Sequence, residues 1–153
     1  MANKSKAIGT DGETRVVNYL LAAGIADAER LSLKGNKDQG DVRCTPIFSE
    51  GVPKHHRIIL EVKAGKQTCG KTNGKPDKNK SYSRGMKEDW LQQAQVESEN
   101  ANLKCYLVIC KFNTAMEDFE VWSSDGRMFW YLDDFVRQIG GTPKLFRGGK
   151  PVE

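Results

Sequence analysis

Arg57-Ile58-Ile59-Leu60-Glu61-Val62-Lys63 is the stretch that decides the fold of this chain and points to its chemistry. The short apolar run predicts a strand. Side chains alternate along a strand, so Ile58, Leu60 and Val62 share one face while Ile59, Glu61 and Lys63 share the other. An acid and an amine therefore leave the same face, roughly 6–7 Å apart at the usual rise per residue. Such a pair can hold a divalent cation through the carboxylate and a reacting oxygen through the ammonium. Glu-x-Lys alone arises by chance about once in a few hundred residues, given how common both are. Its weight comes from its neighbours.

Working outward, Asp41-Val-Arg-Cys-Thr45 alternates and reads as the preceding strand, opened by Gly40. With a turn near Gly51, antiparallel pairing places Asp41 opposite Glu61, the paired positions summing to about 102. Before it, Arg30-Leu-Ser-Leu-Lys34 reads as a strand and 35–40 as a polar turn. A first helix is expected over Asp11–Ala23: Thr10-Asp-Gly-Glu13 is a capping-box pattern, Val16, Val17, Leu20 and Leu21 follow at helical spacing, and Gly24 ends it. After the Glu-x-Lys strand, a second helix is expected over Lys87–Ala101. Lys104-Cys-Tyr-Leu-Val-Ile-Cys110 is apolar on both faces, as a buried central strand should be. Phe119-Glu-Val-Trp122 reads as another strand, and Leu132, Phe135, Val136 and Ile139 mark a last helix stopped by Gly140-Gly141. This order indicates a single α/β (α+β) domain with no internal repeat.

The 153 residues suit one domain with a sizeable core. At 38% hydrophobic and 29% charged the chain should be soluble. It has neither an apolar run of membrane-spanning length nor a signal-peptide pattern, so a cytoplasmic setting is expected. Cys44, Cys69, Cys105 and Cys110 form no C-x-x-C pair and read as buried thiols, not as a zinc site or disulfides. The net charge of +4 is unevenly placed. Between Lys63 and Lys87, Lys66, Lys71, Lys75, Lys78, Lys80 and Arg84 face a single acid, Asp77, on a glycine-rich segment. Residues 64–86 therefore read as a flexible basic loop that contacts phosphates, with Tyr82 as its candidate for base stacking. Residues 1–8 read as a frayed segment and 142–153 as a basic tail.

Glu13 falls at the centre of the stripe made by Val16, Val17 and Leu20. A carboxylate there must be capped, paired or bound to metal; the capping box and a site role stand side by side. Asp41 reads as a turn residue by position and as a metal ligand by its pairing with Glu61. Two carboxylates plus a backbone carbonyl, that of Val62, make a hard-oxygen site for Mg2+ or Mn2+. Lys63 can orient a water or neutralise charge developing on a phosphate. His55 and His56 read as exposed loop residues, and Trp90, Trp122 and Trp130 as core.

Gly9-x-x-x-Glu13, Gly40-Asp41 and Glu61-Val-Lys63, in this order, resemble the PD-(D/E)xK nuclease superfamily, and most of all its archaeal-type and phage Holliday-junction resolvases. The match spans about residues 9 to 110, with Gly-Asp where the superfamily name has Pro-Asp. The resemblance implies a restriction-endonuclease-like domain over 9–141 with an αβββαβ core around a mixed sheet. It implies a site of Glu13, Asp41, Glu61 and Lys63, with Asp41, Glu61 and Val62 on one metal and Glu13 on a second metal or on a metal-bound water. A glutamine of the next helix joins the site in many members. Trp90, Leu91, Ala94, Ser98 and Ala101 give that helix its expected buried face, which favours Gln95 over Gln92 or Gln93. The implied activity is metal-dependent cleavage of junction DNA by a homodimer, in a phage or host cytoplasm. The alternatives are a nicking, flap or single-strand nuclease of the same fold, or a non-catalytic DNA-binding module.

Overall fold

The computed structural model describes residues 4–31, 41–47, 56–77, 79–147 and 150–152, with side chains from residue 11 onward. The polar turn at 35–40, the hairpin connection near Gly51, His55 and Lys78 lie outside the described residues. Helix α1 (Lys4–Ala22) buries Val16, Tyr19, Leu20 and Ala23, the i, i+3, i+4, i+7 stripe. It ends where Gly24 takes a positive φ of 97°. Ile25 N–H then donates to Leu20 O (3.0 Å) and Gly24 N–H to Leu21 O (3.1 Å), a Schellman pair closed by buried Ile25 against Leu20. The helix begins seven residues before the expected Asp11, so Thr10–Glu13 lies inside it and does not cap its start.

Strands β1 (Glu29–Arg30), β2 (Val42–Cys44) and β3 (Ile58–Lys63) follow. β4 (Gly70–Thr72) and β5 (Lys75–Asp77) form a separate hairpin before helix α2 (Arg84–Ala101). Then come β6 (Lys104–Ile109), β7 (Glu120–Ser123), β8 (Phe129–Tyr131), helix α3 (Leu132–Gln138) and a terminal hairpin of β9 (Phe146–Arg147) and β10 (Lys150–Pro151). The main sheet has the order β1-β2-β3-β6-β7-β8, with β3 and β6 parallel and every other pair antiparallel. Helix, three strands, helix, strand is the core order expected, and the fold is α+β. Val42 pairs with Leu60, Arg43 with Ile59 and Cys44 with Ile58, so each pair sums to 102.

Both faces of β3 are covered. Ile58, Leu60 and Val62 pack with α1 and α3 through Val16, Leu20, Leu132 and Phe135. On the other face Ile59 meets Ala94 and Cys105, and Trp90 of α2 meets Leu107 and Ile109. Ser83 caps α2 by accepting from Met86 N–H (3.1 Å), which starts that helix three residues earlier than its apolar stripe implies.

Residues 64–86 are not one long loop. Thr68 Oγ1, in a short 3-10 turn, lies within hydrogen-bond distance of both Gly65 O (2.8 Å) and Cys110 O (3.0 Å), its one proton shared between them, and ties the exit of β3 to that of β6. Asn73 and Gly74, both at positive φ, close the β4–β5 hairpin. Asn-Gly between short polar strands is a hairpin signal the charge reading hid. β8 was not expected either: its aromatic run lacks alternation, and Phe129 and Tyr131 remain exposed.

Gly12 sets the distance between α1 and the end of β3. A Cβ there would lie 2.6 Å from Ala64 Cβ, an atom fixed to backbone. Gly12→Ala should gain about 1 kcal/mol of helix propensity and lose about 1–3 kcal/mol to overpacking. Because Ala64 cannot swing away, the loss should win. Urea unfolding of the variant checks this, a lower midpoint being expected.

Candidate active site

Asp41 ends the β2–β3 ladder. Its N–H donates to Leu60 O (3.0 Å) and its carbonyl accepts from Leu31 N–H (2.8 Å). Its carboxylate Oδ2 then accepts from Val62 N–H (2.8 Å), replacing the next backbone acceptor. N–H and C=O of one strand residue leave the same edge, so the Val62 carbonyl also lies on Asp41's side. The ladder ends at the Val42–Leu60 pair, and just beyond it the Asp41 and Glu61 carboxylates come close enough to interact.

Glu61 is 2% exposed. Its Oε1 lies 3.1 Å from Lys63 Nζ, and its Oε2 is buried with no hydrogen-bond partner among the described residues. Lys63 Nζ donates to Gln93 Oε1 of α2 (2.8 Å), and Gln93 Nε2 donates to Glu97 Oε1 (3.3 Å). On the other flank, Glu13 Oε2 accepts from Arg30 Nε (3.1 Å) and Nη2 (3.0 Å). Burial, then the neighbouring Glu61 and, more weakly, Glu13, pushes the Asp41 carboxyl up to about 8, against the pull of Val62 N–H.

Two acids so crowded, one with an orphaned oxygen, fit a cation. Among the described residues no group of three or more His, Cys, Asp or Glu side chains is gathered to enclose a metal alone. A cation held by Asp41 and Glu61 must therefore complete its shell with the Val62 carbonyl, waters and a substrate oxygen.

The chain is similar to a solved structure of the Holliday junction resolvase of the archaeal hyperthermophile Archaeoglobus fulgidus, 16% identical, covering 88% of this chain and 95% of that one at a TM-score of 0.45. No family model and no curated protein matches the sequence.

The structure brings together Glu13, Asp41, Glu61, Val62 and Lys63. It does not bring Gln95 there: Gln95 is exposed and lines a groove with Lys104 and Ser123 instead. The inward stripe of α2 is Trp90, Gln93, Ala94 and Glu97, rotated from the expected one because Glu97, an acid, is buried where Ser98 was expected. Gln93 is thus the helix glutamine at the site. Tyr82 is not free to stack on a base. Its hydroxyl donates to Glu120 and its ring tilts against Trp90 at 5.4 Å. Lys66, Lys71, Lys75, Lys80 and Arg84 are exposed. The sequence reading missed Arg30, Gln93 and Glu97. A charged residue inside a helix stripe, as Glu97 is, was the available signal.

Asp41 makes the cation-free protein pH-sensitive. Its folded pKa exceeds its unfolded one, so the folded state holds the extra proton between the two values. Its contribution to stability is greatest near pH 4 and is lost as pH rises through about 8. In chelator, Tm should fall from pH 5 to pH 8, and Asp41→Asn should flatten that slope. Thermal melts in matched buffers measure it, since about 1 kcal/mol moves Tm by some 2–4 °C at this size.

Proposed function

We propose that this chain is a metal-dependent endodeoxyribonuclease that hydrolyses phosphodiester bonds of branched DNA, with the four-way junction as its substrate. One observation carries the reading: Asp41, Glu61 and Lys63 meet at one strand pair, burial and the Glu61 charge raise the Asp41 carboxyl to about 8, and the ammonium is held between Glu61 and Gln93. Asp41, Glu61 and the Val62 carbonyl would hold Mg2+ or Mn2+, with Glu13 placed for a second ion. The cation, when bound, offsets negative charge building on the phosphate. Lys63, anchored and half-buried with two of its three donors on Glu61 and Gln93, has one N–H left to orient the attacking water, and its charge stabilises the phosphate as negative charge develops. The motif order in the sequence supports the choice of junction DNA.

The surface around the site supports a polyanion. Lys71, Lys75 and Lys80 are exposed on and beside the β4–β5 hairpin. Arg15, Lys66 and Lys111 line a cleft of about 240 Å3 where β3 and β6 end. Junction resolution needs two symmetric cuts, which a C2 homodimer supplies. No helix of the described residues is long and apolar enough to cross a membrane.

The test compares cleavage of synthetic four-way junction, flap and linear duplex with and without Mg2+. Junction cleavage that vanishes in chelator is expected, and full cleavage in excess chelator would contradict the reading. Preferential cleavage of flap or linear DNA would reassign the substrate. Glu61→Gln and Lys63→Ala should each cost about 10²-fold or more in rate with affinity largely kept, because both act on the transition state. Neutralising Lys71, Lys75, Lys78 and Lys80 together should weaken junction binding and flatten its salt dependence by roughly 0.9 per lost phosphate contact.

A further inference from the structure

Lys63 cannot choose which end of Gln93 it meets; something else must. An ammonium has donors only, so Gln93 has to present Oε1 to it. Its Nε2 then points the other way, into the layer between α2 and the sheet. A buried amide N–H2 left without an acceptor costs about 1–3 kcal/mol. Glu97, one helical turn on and 1% exposed, supplies that acceptor through Oε1 at 3.3 Å. Gln93 flipped end for end would set its N–H2 against the Lys63 ammonium and its oxygen against the Glu97 carboxyl oxygen. Both contacts would be lost at once. The i, i+4 spacing makes the pairing a property of α2 itself.

We infer that Glu97 is a positioning residue for the reaction: it fixes the orientation of the Gln93 amide, which in turn holds the Lys63 ammonium in place beside Glu61. The inference rests on the nuclease reading above. Glu97 touches no substrate, and its effect on Lys63 passes through Gln93.

The experiment is single-turnover junction cleavage with parallel measurement of junction affinity, for Glu97→Leu, Glu97→Gln, Gln93→Met, the Glu97→Leu/Gln93→Met double variant and Lys63→Ala. Glu97→Leu should lose about tenfold or more in rate, since a side chain misplaced by about 1 Å can cost up to 10²-fold, with affinity unchanged. Glu97→Gln keeps an acceptor oxygen and should recover most of that loss. The double variant should be no slower than Gln93→Met, because both changes break one linkage. Wild-type rate in Glu97→Leu, or losses that multiply in the double variant, would overturn the inference. Lys63→Ala separates the two levels: if it is inactive while Glu97→Leu is unaffected, only the positioning role fails; if it cleaves normally, the site reading fails as well. Should Glu97→Leu not fold, NMR of the wild-type protein decides. The Gln93 side-chain amide protons, assigned by their loss in Gln93→Met, should resist solvent exchange, and free exchange would overturn the inference.

Discussion

The hydrogen bond from Val62 N–H to the Asp41 carboxylate is the contact on which the rest of the site depends. It stops the β2–β3 ladder with a side chain instead of a carbonyl. The carboxylate is thereby pinned beside Glu61, and a backbone carbonyl is left facing it. A strand pair alone would not do this, because a one-residue slip moves every side chain to the other face. The buried faces of β3 forbid that slip: Ile58, Leu60 and Val62 are committed to the α1 side and Ile59 to the α2 side. Hydrophobic packing therefore sets where the acids meet, and the acids inherit a position that costs them solvation.

That cost is visible as the raised Asp41 carboxyl and the orphaned Glu61 oxygen. Lys63 offsets part of it from one side, and Gln93 keeps Lys63 from swinging to solvent. On the opposite flank Arg30 occupies Glu13, while Gly12, by lacking a side chain, lets α1 lie against Ala64 close to the site. The arrangement is one of crowded acids with cations at their margins, and a divalent cation would relieve the crowding.

Much of this was legible in the sequence because it follows from period-two alternation. Alternation of Ile58–Lys63 against Asp41–Thr45, together with a turn expected near Gly51, gives a pairing sum of about 102, and the ladder from Val42–Leu60 to Cys44–Ile58 has that sum. Helical stripes were read less well. Gln93 and Gln95 differ by two positions, and a stripe drawn through apolar residues alone rotates α2 so that Gln95 looks innermost. The actual stripe runs through Glu97, a residue type that composition assigns to solvent. The Asn73-Gly74 hairpin was hidden by the lysines around it, and α1 begins earlier because a capping-box pattern can also sit inside a helix, where Glu13 finds Arg30. Interactions between segments distant in sequence, such as Arg30 with Glu13, leave no periodic trace.

The central claim is that Asp41 and Glu61 would hold a cation, and that burial and the neighbouring acids keep the Asp41 carboxyl protonated near neutrality without it. Calorimetric titration of Mg2+ or Mn2+ near pH 7, repeated in buffers of different ionisation enthalpy, tests it most directly, because ligand deprotonation is coupled to metal binding. The account predicts saturable binding with release of about one proton per cation, both lost in Asp41→Asn. Binding without proton release, or binding that survives Asp41→Asn unchanged, would contradict it.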